Sequence, residues 1–182
     1  MRLRKNLLII LALLLVLAAS LAGTLFAYMY KQTEEVTNTF VPAQVDCVVN
    51  ETFNGSVKSN IAVTNTGNID AYLRVRLVSY WVDDDGDIMP VASVMPSFTL
   101  NDGWIALGND TYCYTLPVAP NHSTAVLASG MTLGVSEKGY KQVVEVFAEA
   151  IQALGTTDAI PEKSAVENAW GVTVNANGTI SP

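Results

Sequence analysis

Residues 65–87 read NTGNIDAYLRVRLVSYWVDDDGD, and the folding of this stretch decides the folding of the rest. A glycine-containing turn opens it, an alternating run from Ala71 fills it, and clustered carboxylates with a glycine close it. In an extended strand successive side chains point to opposite faces. The alternation therefore sends Leu73, Val75, Leu77 and Trp81 to a core face and Tyr72, Arg74, Arg76 and Tyr80 to a solvent face. Asp83, Asp84, Asp85 and Asp87 cannot continue such a ladder, and with Gly86 they predict a solvated turn.

The same period of two runs on either side of this strand. Apolar runs at 45–49 and 57–63 flank Asn54-Gly55, a pair that accepts the positive φ angles of a tight hairpin. Short apolar pieces follow at 88–94, 98–100, 104–107, 112–116, 123–127 and 131–135, separated by Pro, Gly, Asn or Asp, and the turn at 108–110 predicts a second hairpin. KQVVEVFAEAIQAL at 141–154 suits a helix by its Ala, Glu and Gln and a strand by its Val and Phe. Its alternation decides for a strand, with Val144, Val146, Ala148 and Ala150 on one face. Pro161, Glu162 and Gly171 then frame a short helix, and 172–174 pairs with Thr179 and Ile180 across Asn177-Gly178. Short strands with frequent turns indicate an antiparallel β-sandwich or barrel, here one mainly β domain over 43–182.

The amino-terminal end is of another kind. Arg2, Arg4 and Lys5 precede an apolar run at 7–19, the pattern of an export signal over 1–27, with cleavage after Ala27 or, as an alternative, Ala22. Left uncut, 7–30 approaches the roughly 20 residues that span a bilayer and would act as an anchor, the chain's one route to a membrane. The chain of 182 residues carries a formal charge of −7. Cleavage after Ala27 removes three of ten basic residues and none of seventeen acidic ones, which leaves seven against seventeen, or −10. Such a surface repels nucleic acid and has no basic cluster from which to build a phosphate groove.

Side chains able to do chemistry are sparse. His122 is the one histidine, set in a proline-flanked turn, and neither H-E-x-x-H nor G-x-S-x-G occurs, so zinc hydrolysis and a serine triad lack their parts. Asp83, Asp85 and Asp87 offer oxygen ligands for calcium, but the glycine falls at the wrong place for an EF-hand loop and a hairpin turn is the better reading. Asn50, Asn54, Asn109, Asn121 and Asn177 each begin an N-x-[ST] match, read as turn chemistry. Arg74 and Arg76 among tyrosines suit an acidic or saccharide partner, or the ordinary cross-strand pairing that the sequence favours. Cys47 and Cys113 either bridge in an oxidising exterior or remain buried thiols. No cofactor is expected.

Taken together, AGTLFAYMY at 22–30, EEVTNTFVPAQV at 34–45, VTNTGNIDAYLRVRLVSYWVDDDGDI at 63–88, YTLPVAPNHST at 114–124 and VVEVFAEAIQA at 143–153 with the late Ala169-Trp170 resemble the TasA/camelysin family. These are exported Gram-positive bacterial proteins whose leaders are cut by a dedicated signal peptidase, and several build biofilm-matrix fibres. The resemblance implies a jelly-roll-like β-sandwich. It also implies self-association, or assembly with related matrix subunits, by lending the mature amino-terminal segment to the next subunit as a strand, a form of β-augmentation. Here that segment is 28–42, with Val36, Phe40 and Val41 as its apolar residues. Camelysin has been classed as a metalloprotease, so a secreted metallopeptidase or other extracellular hydrolase is the alternative, although no catalytic residue carries over onto this sequence.

Overall fold

A computed structural model describes residues 2–31, 41–153 and 164–182. The chain separates into two compact units, Met1–Val41 and Pro42–Pro182. The first contains helix α1 (Arg2–Lys31), of which Arg4–Phe26 is long and apolar enough to cross a membrane. Ala27 lies within α1, and the helix continues four residues beyond it. The first residues of the segment expected to be an extended donor are thus helical in the uncut chain. Val36 and Phe40 lie outside the described residues, and Val41 is 70% exposed.

The second unit is mainly β, with antiparallel pairing throughout. Strands β1 (Cys47–Phe53) and β2 (Val57–Asn65) form the expected hairpin. Its turn is fixed by Gly55 at φ 93° and by Asn54 Oδ1, which accepts the N–H groups of Ser56 and Val57. Strand β3 (Ala71–Val82) is the long alternating strand, and β4 (Ile88–Met89) folds back on its end across the aspartate turn. Strands β5 (Trp104–Gly108) and β6 (Thr111–Tyr114) are joined by Asn109-Asp110, both at positive φ, as a two-residue hairpin requires. Strand β7 (Met131–Thr132) adds to β2, and β8 (Lys141–Gln152) pairs with β3 along its whole length. That twelve-residue ladder is why 141–152 is a strand in spite of its helix-forming alanines and glutamates: β-branched Val143, Val144 and Val146 fit the pleat, and the pairing overrides propensity.

One sheet is ordered β1-β2-β7, and in the other β3 is flanked by β8 on one side and by β4 and β6-β5 on the other. A first core cluster joins Ile61 and Val63 of β2, Leu73, Val75 and Leu77 of β3, Met131 of β7 and Val144 of β8. A second cluster lies on the opposite face of β3 and β6, where Tyr72 and Cys113 meet Val166 of helix α2 (Ala165–Trp170), Val172, and Ile180 of the small β9 (Thr173–Val174) and β10 (Ile180–Ser181) pair.

This second cluster corrects the strand's two-face reading. Tyr72 is buried, its hydroxyl donating to Gly178 O at 2.8 Å, whereas Trp81 at the far end of β3 is only half-buried. The expectation for the short apolar pieces also changes. Of 88–94 only Ile88–Met89 is strand, and 98–100 contributes a single bridge from Leu100 to Ala128, because Pro90 and Pro96 have no N–H to give a ladder. Helix α2 has Ser164 as its N-cap, and Pro161 and Glu162, expected at its start, lie outside the described residues. Ser164 and Glu167 form a reciprocal capping box, and Gly171 at φ 68° ends the helix as expected.

Candidate functional site

Residues 65–68, NTGN, hold the point where the chain enters the second unit. Thr66 and Gly67 N–H donate to Asp46 O, and Asn68 N–H donates to Gln44 O. Asn68 also uses its side chain, accepting from Gln44 N–H at 2.7 Å and donating to Pro42 O at 2.9 Å. Gly67 is required by this close approach, since a Cβ there would sit 2.4 Å from Gln44 O. Residues 42–46 are thereby laid beside the turn and delivered into β1.

Both β1 and β8 are edge strands: among the described residues the strand partner of β1 is β2, and that of β8 is β3, with one further bridge from Lys141 to Val135 at its start. They lie near one another, close enough for the Glu149 carboxylate of β8 to act on the Cys47 thiol of β1. The backbone direction along β8 follows from β3. Ala71 and Leu77 direct their N–H groups away from β8, to Val118 O and Asp110 O, so the even-numbered residues of β3 bond to β8. Their partners are the odd-numbered residues of β8, including Phe147 opposite Arg76 and Glu149 opposite Arg74. The even-numbered residues therefore present N–H and C=O outward, as Gln142 does in donating to Gly134 O. From Val144 to Ala150 this outer edge has no backbone partner among the described residues.

Side-chain burial changes at the same place. Val144 is fully buried beside 133–136, which closes over the start of β8 through a Val135–Lys141 bridge. Val146, Ala148 and Ala150 point into the same core and are only half-buried, as are Val45 and Cys47 across the seam. The core is thus incomplete along the open edge. At one end of the seam lies a cavity of about 140 Å³ lined by Phe53, Lys58, Leu133, Gln142, Val143 and Val144, with Glu51 paired to the nearly buried Lys58 at 2.6 Å.

No family model, curated protein or solved structure matches this chain. The seam is therefore read from its own geometry.

The other residues marked in the sequence do not converge on it. Asp83 Oδ1 accepts the N–H groups of Asp85 and Asp87, closing the hairpin turn, and Asp84 meets Lys141 in an exposed ion pair. Among the described residues no three His, Cys, Asp or Glu side chains gather to hold a metal ion. His122 is exposed, its Nδ1 3.0 Å from Pro120 O. Asn54, Asn109, Asn121 and Asn177 occupy turns as expected, but Asn50 stands within β1, donating to Thr64 Oγ1. Arg74 pairs with Glu149 across the strands and lies over the Trp170 ring, 4.7 Å from its centroid.

Cys47 and Cys113 are both free thiols, facing different clusters. Burial pushes the Cys113 thiol up to about 12, with Arg74 pulling weakly the other way. Burial first, then the carboxylates of Asp46 and Glu149, also raises Cys47. A group held neutral in the folded state loses its contribution as the unfolded form ionises. The Cys113 contribution is accordingly intact below the unfolded value near 9 and declines as pH rises from there towards about 12. Iodoacetamide at pH 8 is expected to leave Cys113 unlabelled until denaturant is added, and Cys113→Val to flatten the loss of urea midpoint above pH 9.

Proposed function

We propose that this chain is an exported structural subunit of the cell surface or extracellular matrix, of TasA/camelysin type, which assembles by adding a strand to the outer edge of β8. The observation that carries the reading is the unpaired backbone of 144–150 backed by half-buried Val146, Ala148 and Ala150. An added strand would satisfy those outward N–H and C=O groups and cover the exposed part of the core in one step, which is the thermodynamic logic of β-augmentation. Long unprotected edges are avoided in proteins that must stay monomeric.

On this reading the two sheets form a jelly-roll-like double layer short of one strand. Export cleaves the leader after Ala27, and the released segment at 28–42, with Val36, Phe40 and Val41, is the strand lent to another copy or a related matrix subunit. The protein acts through backbone edges, without a catalytic centre or cofactor.

Ala148→Pro tests the acceptor. The Ala148 N–H points away from β3, so proline deletes an edge donor while the β3–β8 ladder keeps all its bonds. The exported parent is expected to form fibres visible by electron microscopy. Ala148→Pro, and separately a form starting at Ala43, should fold with near-parental melting and give none. Fibres from the proline variant equal to those of the parent, or a parent that stays monomeric, would overturn the proposal.

A further inference from the structure

The face of the β3–β8 pair that turns away from the first core is divided. At one end Tyr72 and Ile151 lie beneath the second cluster, and Arg74 and Glu149 lie beside Trp170. At the other end Val78, Tyr80, Val82 and Val143 are half-buried, and Phe147 is 46% exposed. Three charges stand within this bare half, of which Lys141, opposite Val82, is already paired with Asp84. Arg76 faces Phe147 across the strands and Glu145 faces Val78, so Arg76 and Glu145 occupy one diagonal of a four-residue square and Phe147 and Val78 the other. Arg76 and Glu145 are both exposed, and neither belongs to the ion pairs among the described residues.

We propose that this bare half-face binds a second copy of this chain about a two-fold axis. An isologous contact requires each patch to be complementary to itself, so it must hold both members of any charge pair it uses. A single unpaired cation and a single unpaired anion on a mainly apolar patch meet that condition. A two-fold axis lying in the interface midway between them brings Arg76 of each copy to Glu145 of the other, forming two ion pairs. The same axis runs close to the other diagonal, so Phe147 packs near its own counterpart and Val78 near its own. The apolar residues are then enclosed by a charged border, the arrangement of a buried centre with a polar rim. A purely acidic or basic partner would leave one of the two charges opposed.

This contact uses the face of the sheet and not its edge, so it holds with or without strand addition. The experiment measures sedimentation velocity on the exported full-chain product, first in the Ala148→Pro background and then in the parent below the concentration at which fibres form. A reversible dimer is expected in both. Arg76→Glu and Glu145→Arg should each weaken it about tenfold or more, since each sets like charges against one another, and the double exchange should restore it. Both positions are exposed, and circular dichroism and melting curves confirm that each variant is folded. Monomers at every concentration, or a dimer indifferent to all three exchanges, would overturn the proposal. Fibres lost in Ala148→Pro with the dimer retained would separate this contact from strand addition.

Discussion

Asn65→Ala is expected to cost roughly 2–4 kcal/mol of stability, because it removes three buried side-chain hydrogen bonds at once and leaves Ile69 O without its side-chain partner. Asn65 is 0% exposed. Its Nδ2 donates to Ile69 O and Val118 O, both at 2.8 Å, and its Oδ1 accepts Gly67 N–H at 2.9 Å. Every side-chain hydrogen-bonding position but one lone pair is used; alanine leaves Ile69 O unpartnered in a site closed to water, Val118 O with Ala71 N–H alone, and Gly67 N–H with its longer bond to Asp46 O. Its backbone bonds, N–H to His122 O and C=O from Asn121 N–H, would persist. The turn would therefore loosen rather than unthread. Urea denaturation followed by tryptophan fluorescence gives the difference. A midpoint change equivalent to less than about 1 kcal/mol would mean that water enters and replaces the side chain. The loss should spread to 42–46, which hang on the neighbouring Gly67 and Asn68, and hence to the placing of the strand that precedes β1.

Asn65 also marks how far the sequence can be read. As part of NTGN it is legible as a turn residue, but its burial depends on Val118 O, fifty-three positions away in the chain, and no local pattern encodes that meeting. The strands with strong alternation, β2, β3 and β8, were legible for the same reason that they are stable: one face of each is apolar and has a core to enter. Short pieces between prolines were not, since a few apolar residues specify burial without specifying pairing, and 98–100 packs on the core with only one bridge. The seam was the least legible part. Whether the outer edge of β8 has a neighbour is a property of strand order, and strand order is set by contacts remote in sequence. The same applies to Cys47 and Cys113: their facing different clusters follows from the registers of β1 and β6, which only the assembled sheets define.

Leu77→Ala is expected to cost about 2–5 kcal/mol, whereas Trp81→Ala, four residues along the same face, is expected to cost about 1–2 kcal/mol despite removing more atoms. The alternation of β3 assigns both to the core. Burial separates them: Leu77 is 2% exposed within the first cluster, while Trp81 is half-buried at the strand's end, where the partner β4 has two residues. Truncating Leu77 opens a cavity among Val75, Val144 and their neighbours that rigid strands cannot refill. Truncating Trp81 returns to water a ring already partly wetted and gives up one exposed hydrogen bond, from Nε1 to Ala92 O at 3.2 Å. Urea midpoints for the two variants at equal m-value test the ordering. If Trp81→Ala proved as costly as Leu77→Ala in dilute monomer, the end of β3 would have to be covered within the chain itself. If the two costs converged only at high protein concentration, the cover would come from another copy lying against the first-core face at the end of β3, a contact separate from the half-face that carries Arg76 and Glu145.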